Sequence, residues 1–135
     1  MVTTTAERPE IPPNAEYQSF LDAGRFLIQR DLTTGKAFFY PRVSAPLTGS
    51  VNLEWFEPSG LGTVYAVTVV SQRPPSPGYN VVLVDLEEGP RVMSRVEGIV
   101  PESVHIGMAV RARVQLIDGT GVLLFDPLDE AKAAI

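Results

Sequence analysis

Residues 109–125 read AVRARVQLIDGTGVLLF, and this stretch carries the clearest structural signal in the 135-residue chain. Apolar and polar residues alternate from Val110 to Leu116, a pattern typical of a strand with one buried face. Asp118-Gly119-Thr120-Gly121 then predicts a hairpin turn into a second strand, Val122–Phe125. The C-terminal part of the chain is therefore expected to be an antiparallel sheet.

Three further short strands are predicted upstream of this hairpin. Valine-rich runs and period-two alternation mark them, and turn signals at Gly60, Gly78, Gly89 and Gly119 separate the strands. Five short strands of this kind predict a small closed barrel over about 54–127, with residues 100–107 crossing one end. The predicted strands are Thr63–Ser71, Tyr79–Leu86, Arg91–Glu97, Ala109–Ile117 and Val122–Phe125.

The N-terminal part has a different pattern. Residues 1–13 are polar and proline-rich, which predicts a lead-in without regular structure. Asn14 is the predicted N-cap of a helix over 14–23, and Gly24 is its predicted C-cap. Spacing at i, i+3 and i+4 indicates that the helix packs one aromatic and apolar face against the body of the protein. That face consists of Tyr17, Phe20 and Leu21.

A short hairpin is predicted after the helix. Phe26–Arg30 and Ala37–Tyr40 are extended segments joined by a turn at 33–36. Residues 41–50 contain two prolines and a glycine, so they predict a loop without its own core. At the other end of the chain, the tail after Pro127 is expected to form a helical turn.

Composition excludes several classes of function. The chain has no cysteine and one histidine, His105, so disulfides, thiolate metal sites and multi-histidine metal sites are excluded. The net charge is −5, and acidic residues outnumber basic ones over 54–128, which disfavours binding to a long polyanion. No apolar run reaches the roughly 20 residues of a membrane span, and no signal peptide is evident, so a cytoplasmic location is expected.

The sequence offers no self-sufficient active site. Gly60 and Gly62 are not followed by the lysine and the helix start of a phosphate-binding loop. The two glycines are instead predicted to relieve a bulge or a tight turn. Asp85 is a candidate buried acid, but the sequence offers it no partner base. His105 lies in a connection between strands, and no serine or acidic residue lies at a spacing that indicates a catalytic pair. Four arginines on two of the predicted strands would form a cluster if those strands pair. Such a cluster would be either a solvated face or a patch that binds an anion or a partner. Its members are Arg91, Arg95, Arg111 and Arg113.

An ordered set of motifs resembles the DUF35 family over roughly residues 14–127. After the helix come QRDLTTGKAFFYPRVSAPLTGSVNLEW (29–55), SGLGTVYAVTVV (59–70), YNVVLVDLEEGPRVMSRVEG (79–98) and HIGMAVRARV (105–114). Family members carry an N-terminal helix, a rubredoxin-like zinc ribbon and a C-terminal OB-fold. The resemblance therefore implies a mainly β protein. Residues 1–28 form the lead-in and helix, 29–53 a degenerate ribbon hairpin, and 54–135 a five-stranded OB-fold barrel with a short tail.

The zinc-binding positions of the family pattern hold no thiolate in this sequence. The ribbon spacing is kept, but an aspartate, two threonines and an alanine cannot supply four good donors to zinc. The resemblance thus implies a vestigial, metal-free ribbon that needs another source of order, such as its own aromatic residues or a partner subunit. The four positions are Asp31, Thr34, Ala45 and Thr48.

The resemblance implies a non-catalytic role in acyl-CoA metabolism. DUF35 proteins pair with thiolase-like enzymes, including lipid-transfer-type aldolases of steroid or aromatic acid degradation. The expected function is an accessory subunit of such a complex, with no tightly bound cofactor and with acyl-CoA as a ligand where the two proteins meet. Two other functions remain as alternatives: a stand-alone OB-fold module that binds single-stranded nucleic acid, and an enzyme that acts alone.

Aromatic and arginine side chains are the usual anchors of protein interfaces. The predicted contact with the partner is therefore the 29–53 segment together with the barrel edge near Trp55. Arginines near this contact are expected to draw the phosphates of acyl-CoA. The predicted partner-binding or ligand-binding residues are Phe38, Phe39, Tyr40, Arg42, Trp55 and Arg91.

Overall fold

The computed structural model describes residues 12–46, 48–75 and 78–128. Within these residues, one α-helix, α1 (Pro13–Asp22), precedes eight strands that form two antiparallel sheets. Most of the predicted lead-in, the C-terminal tail from residue 129 and part of the loop before Gly78 lie outside the described residues. None of the described helices is long and apolar enough to cross a membrane.

Helix α1 begins one residue earlier than predicted. Pro13 occupies its first turn and Pro12 is the N-cap residue, without a side-chain capping bond, so the predicted N-cap role of Asn14 is wrong. Proline suits this position because its fixed φ is helical and its missing N–H would have no partner there. The C-cap residue is Ala23, one residue before the predicted Gly24. Gly24 is the left-handed residue that follows the cap, with a φ of 82°, and it donates its N–H to the Leu21 carbonyl at 2.8 Å.

The first sheet contains β1 (Ile28–Asp31), β2 (Ala37–Phe38) and β3 (Leu53–Phe56), in the order β2-β1-β3. The predicted hairpin is therefore present as β1 and β2. Strand β3 pairs with β1 along its whole length, from Ile28 opposite Phe56 to Asp31 opposite Leu53. The first sheet thus extends to Phe56, and the division predicted between residues 53 and 54 cuts through β3. Trp55 belongs to this sheet and not to the barrel edge.

The second sheet is the predicted five-stranded barrel, with strand order β6-β5-β4-β7-β8. An isolated parallel bridge between Val96 and Phe125 joins the two outer strands, so the barrel nearly closes. The predicted bounds of β5 and β7 are confirmed. Strand β4 begins two residues and ends one residue earlier than predicted, β6 ends three residues earlier, and β8 is longer. The strands are β4 (Leu61–Val70), β5 (Tyr79–Leu86), β6 (Arg91–Ser94), β7 (Ala109–Ile117) and β8 (Thr120–Pro127).

Alternate residues of the barrel strands form its core. In β5 every second residue, from Asn80 to Leu86, is buried, as period-two patterning requires. Leu116 breaks the predicted pattern, because β7 runs past the end of the barrel and leaves this side chain 54% exposed. The largest fully buried apolar side chains are Phe125, Ile28, Val64, Val82, Val84, Val92 and Val110.

The bulge of β4 lies between Val64 and Ala66 and not at the two glycines near the start of the strand, which have other roles. Gly60 has a φ of 85°, which L side chains rarely adopt. A Cβ at Gly62 would lie 2.6 Å from Cγ1 of Val84 and 2.9 Å from the Asp85 carbonyl oxygen. The backbone of β4 can therefore approach β5 closely only because residue 62 has no side chain.

Candidate partner-binding site

Two turns of similar construction face each other at the end of the first sheet. In each turn a glycine N–H donates to the carbonyl four residues earlier: Gly35 to Asp31 at 2.6 Å, and Gly49 to Ala45 at 3.0 Å. Both glycines have positive φ, 78° and 71°. The turns enclose a pocket of about 140 Å³. Its lining includes all four positions at which a vestigial zinc site is expected from the sequence: Asp31, Thr34, Ala45 and Thr48.

Asp31 links the two turns. The Thr48 hydroxyl donates to Oδ2 of Asp31 at 2.8 Å, and the Thr33 N–H donates to Oδ1 at 2.9 Å. The Asp31 residue is only 2% exposed. Burial by itself raises the pKa of this carboxyl group, but the hydrogen bonds from Thr48 and Thr33 outweigh burial and hold the pKa below its usual range. The carboxylate is therefore the form that the pocket favours.

The pocket's donor set differs from that of a zinc ribbon. Asp31 is its single carboxylate, and the other three positions offer hydroxyl or methyl groups. Among the described residues, no group of three or more His, Cys, Asp or Glu side chains could hold a metal ion. These residues do not fit a structural zinc ion, which needs four strong donors.

A loop over residues 39–52, called here the 39–52 loop, leads from β2 to β3 past this pocket. Gln29, which is 4% exposed, fixes the start of the loop through two bonds to the Arg42 backbone. Its Nε2 donates to the Arg42 carbonyl at 2.8 Å, and its Oε1 accepts the Arg42 N–H at 2.7 Å. The end of the loop is fixed by Leu32, whose N–H donates to the Asn52 carbonyl at 2.9 Å. The loop is thus held at both ends by β1 and its turn.

The predicted aromatic anchors divide between the interior and the surface. Phe39 packs edge-on against the Tyr17 ring at 5.4 Å between centroids, and burial raises the pKa of Tyr17. Phe38 is half-buried and lines the pocket. Tyr40 points outward and is 73% exposed, and Arg42 is also exposed. Of the predicted residues in this segment, Tyr40 and Arg42 are therefore the ones available to a partner.

Trp55 packs on the helix. Its ring lies 5.1 Å from the Phe20 ring, measured between centroids, and the residue is half-buried. Both Trp55 and Phe38 lie opposite Gln29 in the register of the first sheet. The three side chains therefore share one face of that sheet.

Arg91 is placed on the barrel, apart from the 39–52 loop. Its Nε donates to Asp85 at 2.6 Å, and its guanidinium lies 3.5 Å above the centroid of the Tyr65 ring. The Asp85 carboxylate holds the pKa of Arg91 above its usual value. Asp85 is thus not the buried acid that its apolar strand suggested, because its side chain is 41% exposed and paired with an arginine.

The predicted arginine cluster does not form. Strands β6 and β7 are not neighbours, because β5 and β4 lie between them in the sheet. Arg95 instead pairs with Glu97 at 2.6 Å, and Arg113 pairs with Asp126 at 2.7 Å. Within the described residues, acids thus neutralise three of the four predicted arginines, Arg91, Arg95 and Arg113.

Sequence reasoning missed several exposed apolar residues around the 39–52 loop. Val43 is 72% exposed, Val51 is 75% exposed, and Leu32 beside the loop is 46% exposed. The sequence feature that could have indicated them is the presence of these three aliphatic residues in segments otherwise rich in turn-forming residues. A periodicity analysis does not register them because loops have no period. The 39–52 loop and the turn after β1 thus expose three aliphatic side chains in addition to Tyr40.

Comparison with known proteins agrees with the fold and with the motifs. A family model described as the C-terminal OB-fold domain of ChsH2 matches residues 55–115. A DUF35 domain-containing scaffold protein of Pyrococcus furiosus is 35% identical over 107 residues, which cover 73% of this chain and 78% of that protein. A solved structure described as the Ltp2-ChsH2(DUF35) aldolase has a TM-score of 0.76 and 30% identity, covering 89% of this chain and 98% of that one.

A longer relative matches over part of its length. A probable enoyl-CoA hydratase alpha subunit of Thermomonospora curvata is 33% identical over 112 residues, which are 78% of this chain and 35% of that protein. The chain thus spans about a third of the hydratase subunit. The scaffold protein, by contrast, is matched over most of its length, and its identity is well above chance. The chain belongs to the DUF35 family.

Proposed function

We propose that this chain is a non-catalytic accessory subunit of an acyl-CoA-processing complex whose catalytic subunit is a thiolase-like enzyme, such as a lipid-transfer-type aldolase. The names of its relatives support an accessory role: one is a scaffold protein, one is an alpha subunit, and one is the DUF35 component named in an aldolase structure. The CoA chemistry is taken from the hydratase relative.

The observation that carries the proposal is the surface of the 39–52 loop. Tyr40, Val43 and Val51 are each more than 70% exposed, and Arg42 lies between the first two. Exposed aromatic and aliphatic side chains beside an arginine are the composition of an interface core before its partner binds. The loop is also held in place by Gln29 and Asp31, so docking would require little ordering of the backbone.

The described residues lack the parts of an active site, which supports a non-catalytic role. His105 is exposed, and its Nδ1 lies 3.2 Å from a backbone carbonyl, that of Ser103. Asp85 is occupied by Arg91. A catalytic histidine or carboxylate would need a nucleophile or a substrate proton within hydrogen-bond reach, and neither residue faces one in the described part of the chain.

Acyl-CoA is proposed as a ligand at the junction of the two subunits. Arg42 is the better candidate for a phosphate contact, because its side chain makes no ion pair within residues 12–46, 48–75 and 78–128. Arg91 is less suitable because Asp85 already neutralises its guanidinium. The alternative of single-stranded nucleic acid binding is disfavoured for the same reason, since local acids pair with three barrel arginines.

Co-expression with a lipid-transfer-type aldolase subunit tests the proposal. The wild type should co-purify with the enzyme, and Tyr40→Asp and Arg42→Glu should each reduce the recovered complex at least about tenfold, as hot-spot losses do. Ile106→Asp is the matched control, because Ile106 is 67% exposed on the barrel and should leave recovery unchanged. Undiminished recovery of both loop variants, in folded form, would place the interface elsewhere.

A further inference from the structure

We infer that the hydrogen bond from Thr48 to Asp31 organises the docking surface, so that Asp31 and Thr48 are positioning residues for the partner contact. The inference rests on the proposed function only in its last step, the binding of a partner. Its first step concerns the free chain alone. There, the bond joins the turn that follows β1 to the turn within the 39–52 loop.

The contacts between the turns are few, and Asp31 is at their centre. Within the described residues, side-chain bonds between the turns run from Thr48 to Asp31 at 2.8 Å and between the hydroxyls of Thr33 and Ser50 at 3.2 Å. The second is between exposed groups, whereas Asp31 is 2% exposed. The bond to Asp31 is the stronger of the two, because its acceptor is an ionised carboxylate on a buried residue.

Two of the proposed docking residues, Val43 and Val51, flank the second turn in sequence. Thr48 lies between Val43 and Val51, and its Oγ1 also accepts the N–H of Ser50 at 3.1 Å. The Ala45 N–H in turn donates to the Ser50 carbonyl at 2.8 Å. Losing the bond to Asp31 would therefore release a small closed turn as a unit, and the exposed valines on both sides would lose their fixed positions.

The geometry also explains why a carboxylate serves at residue 31. Oδ1 caps its own turn by accepting the Thr33 N–H, while Oδ2 reaches across to the other turn. A group with two acceptor oxygens can do both at once. Four thiolates on a metal would join the same two turns, so the Asp31–Thr48 bond performs part of the work that a metal would do.

The test is hydrogen exchange of the free chain with two variants of Thr48. Thr48→Val keeps the shape but removes the hydroxyl donor, and Thr48→Ser keeps the donor. Thr48→Val should raise amide exchange at Thr33, Gly49 and Ser50 roughly tenfold. Barrel amides such as Val82 should be unchanged, and Thr48→Ser should behave as the wild type. Ser50 loses its own acceptor, the Thr48 hydroxyl, in this variant, so the deciding amides are Thr33 and Gly49. Unchanged exchange at these two amides in Thr48→Val would overturn the inference.

Binding to the aldolase subunit tests the last step. Thr48→Val should weaken the complex about tenfold and Thr48→Ser should restore it, because the docking residues themselves are intact in both variants. If the wild type binds no such partner, the proposed function fails while the exchange result still stands. If exchange rises in Thr48→Val but affinity is unchanged, the organising role does not extend to docking and the inference is overturned in that step.

Discussion

Replacing Asn80 by alanine should weaken the barrel at its closing seam. Asn80 is 2% exposed on β5, and its amide makes two bonds to the Val96 backbone. Nδ2 donates to the Val96 carbonyl at 2.9 Å, and Oδ1 accepts the Val96 N–H at 2.8 Å. Val96 is also the residue that bridges to Phe125 and closes the sheet. One side chain therefore fixes the segment on which closure depends.

The expected magnitude follows from those two bonds. Each buried hydrogen bond contributes about 1 kcal/mol net, and each stranded polar group costs about 1–3 kcal/mol, so a loss of roughly 2–4 kcal/mol is expected after partial hydration of the cavity. A neighbouring bond adds to the effect. The backbone N–H of Glu97 donates to the Phe125 carbonyl at 2.8 Å, and this bond depends on the position of Val96, the preceding residue. Such a loss is a large fraction of the stability of an ordinary domain.

Urea unfolding followed by circular dichroism and by Trp55 fluorescence measures this loss. Trp55 is the single tryptophan and lies in the first sheet, so the two signals also show whether both sheets unfold together. Asn52→Ala is the control, because Asn52 is exposed and the change should stay within about 0.5 kcal/mol. An equal effect of the two substitutions would refute the assigned role of Asn80.

Three further predictions concern other parts of the fold. Gly121→Ala should detach the helix from β8, because a Cβ there would collide with the Leu21 carbonyl; near-ultraviolet circular dichroism and thermal melting would show a lower melting temperature, and wild-type behaviour would contradict the packing. The Asp22 carboxylate accepts the Gly121 N–H, and this hydrogen bond holds the pKa of Asp22 below its usual value. The stability that the bond contributes is therefore fully present above the unfolded pKa of about 3.9 and is lost as pH falls through the folded pKa. Melting between pH 2 and 7 should accordingly be less acid-sensitive in Asp22→Asn, and an equal slope would contradict the link. Metal analysis of the wild type should find no stoichiometric zinc. A variant with cysteine at the four predicted zinc positions should bind one zinc ion per chain; these positions are Asp31, Thr34, Ala45 and Thr48. One zinc ion in the wild type, or none in the variant, would contradict the predicted vestigial ribbon.

The longer strands of the barrel were predicted well, because they are valine-rich or alternate in polarity and are bounded by turn residues. The bounds of β5 and β7 follow from their residue pattern, and the turns at Gly89 and Gly119 separate the strands as expected. Strand β3 was harder to place, because its four half-buried residues do not alternate and its partner β1 lies more than twenty residues earlier. Only long-range pairing assigns it to the first sheet.

The site was predicted in part, and the errors have physical causes. The family spacing placed four positions around one pocket, but no pattern indicated that Asp31 would bond to Thr48 across it. The arginine cluster was wrong because strands adjacent in sequence need not be adjacent in a barrel. Val43 and Val51 escaped notice because they lie in a loop. Side-chain partners across a sheet or between turns are three-dimensional facts that local patterns do not encode.

Hydrogen exchange of the complex with a lipid-transfer-type aldolase subunit tests the proposed function most directly. Amides of the 39–52 loop should become at least about tenfold more protected when the enzyme is added, because docking would cover Tyr40, Val43 and Val51. Amides of the exposed turn at 118–119, between β7 and β8, should be unaffected. Protection confined to the barrel, with exchange in the 39–52 loop unchanged, would contradict the proposed docking surface.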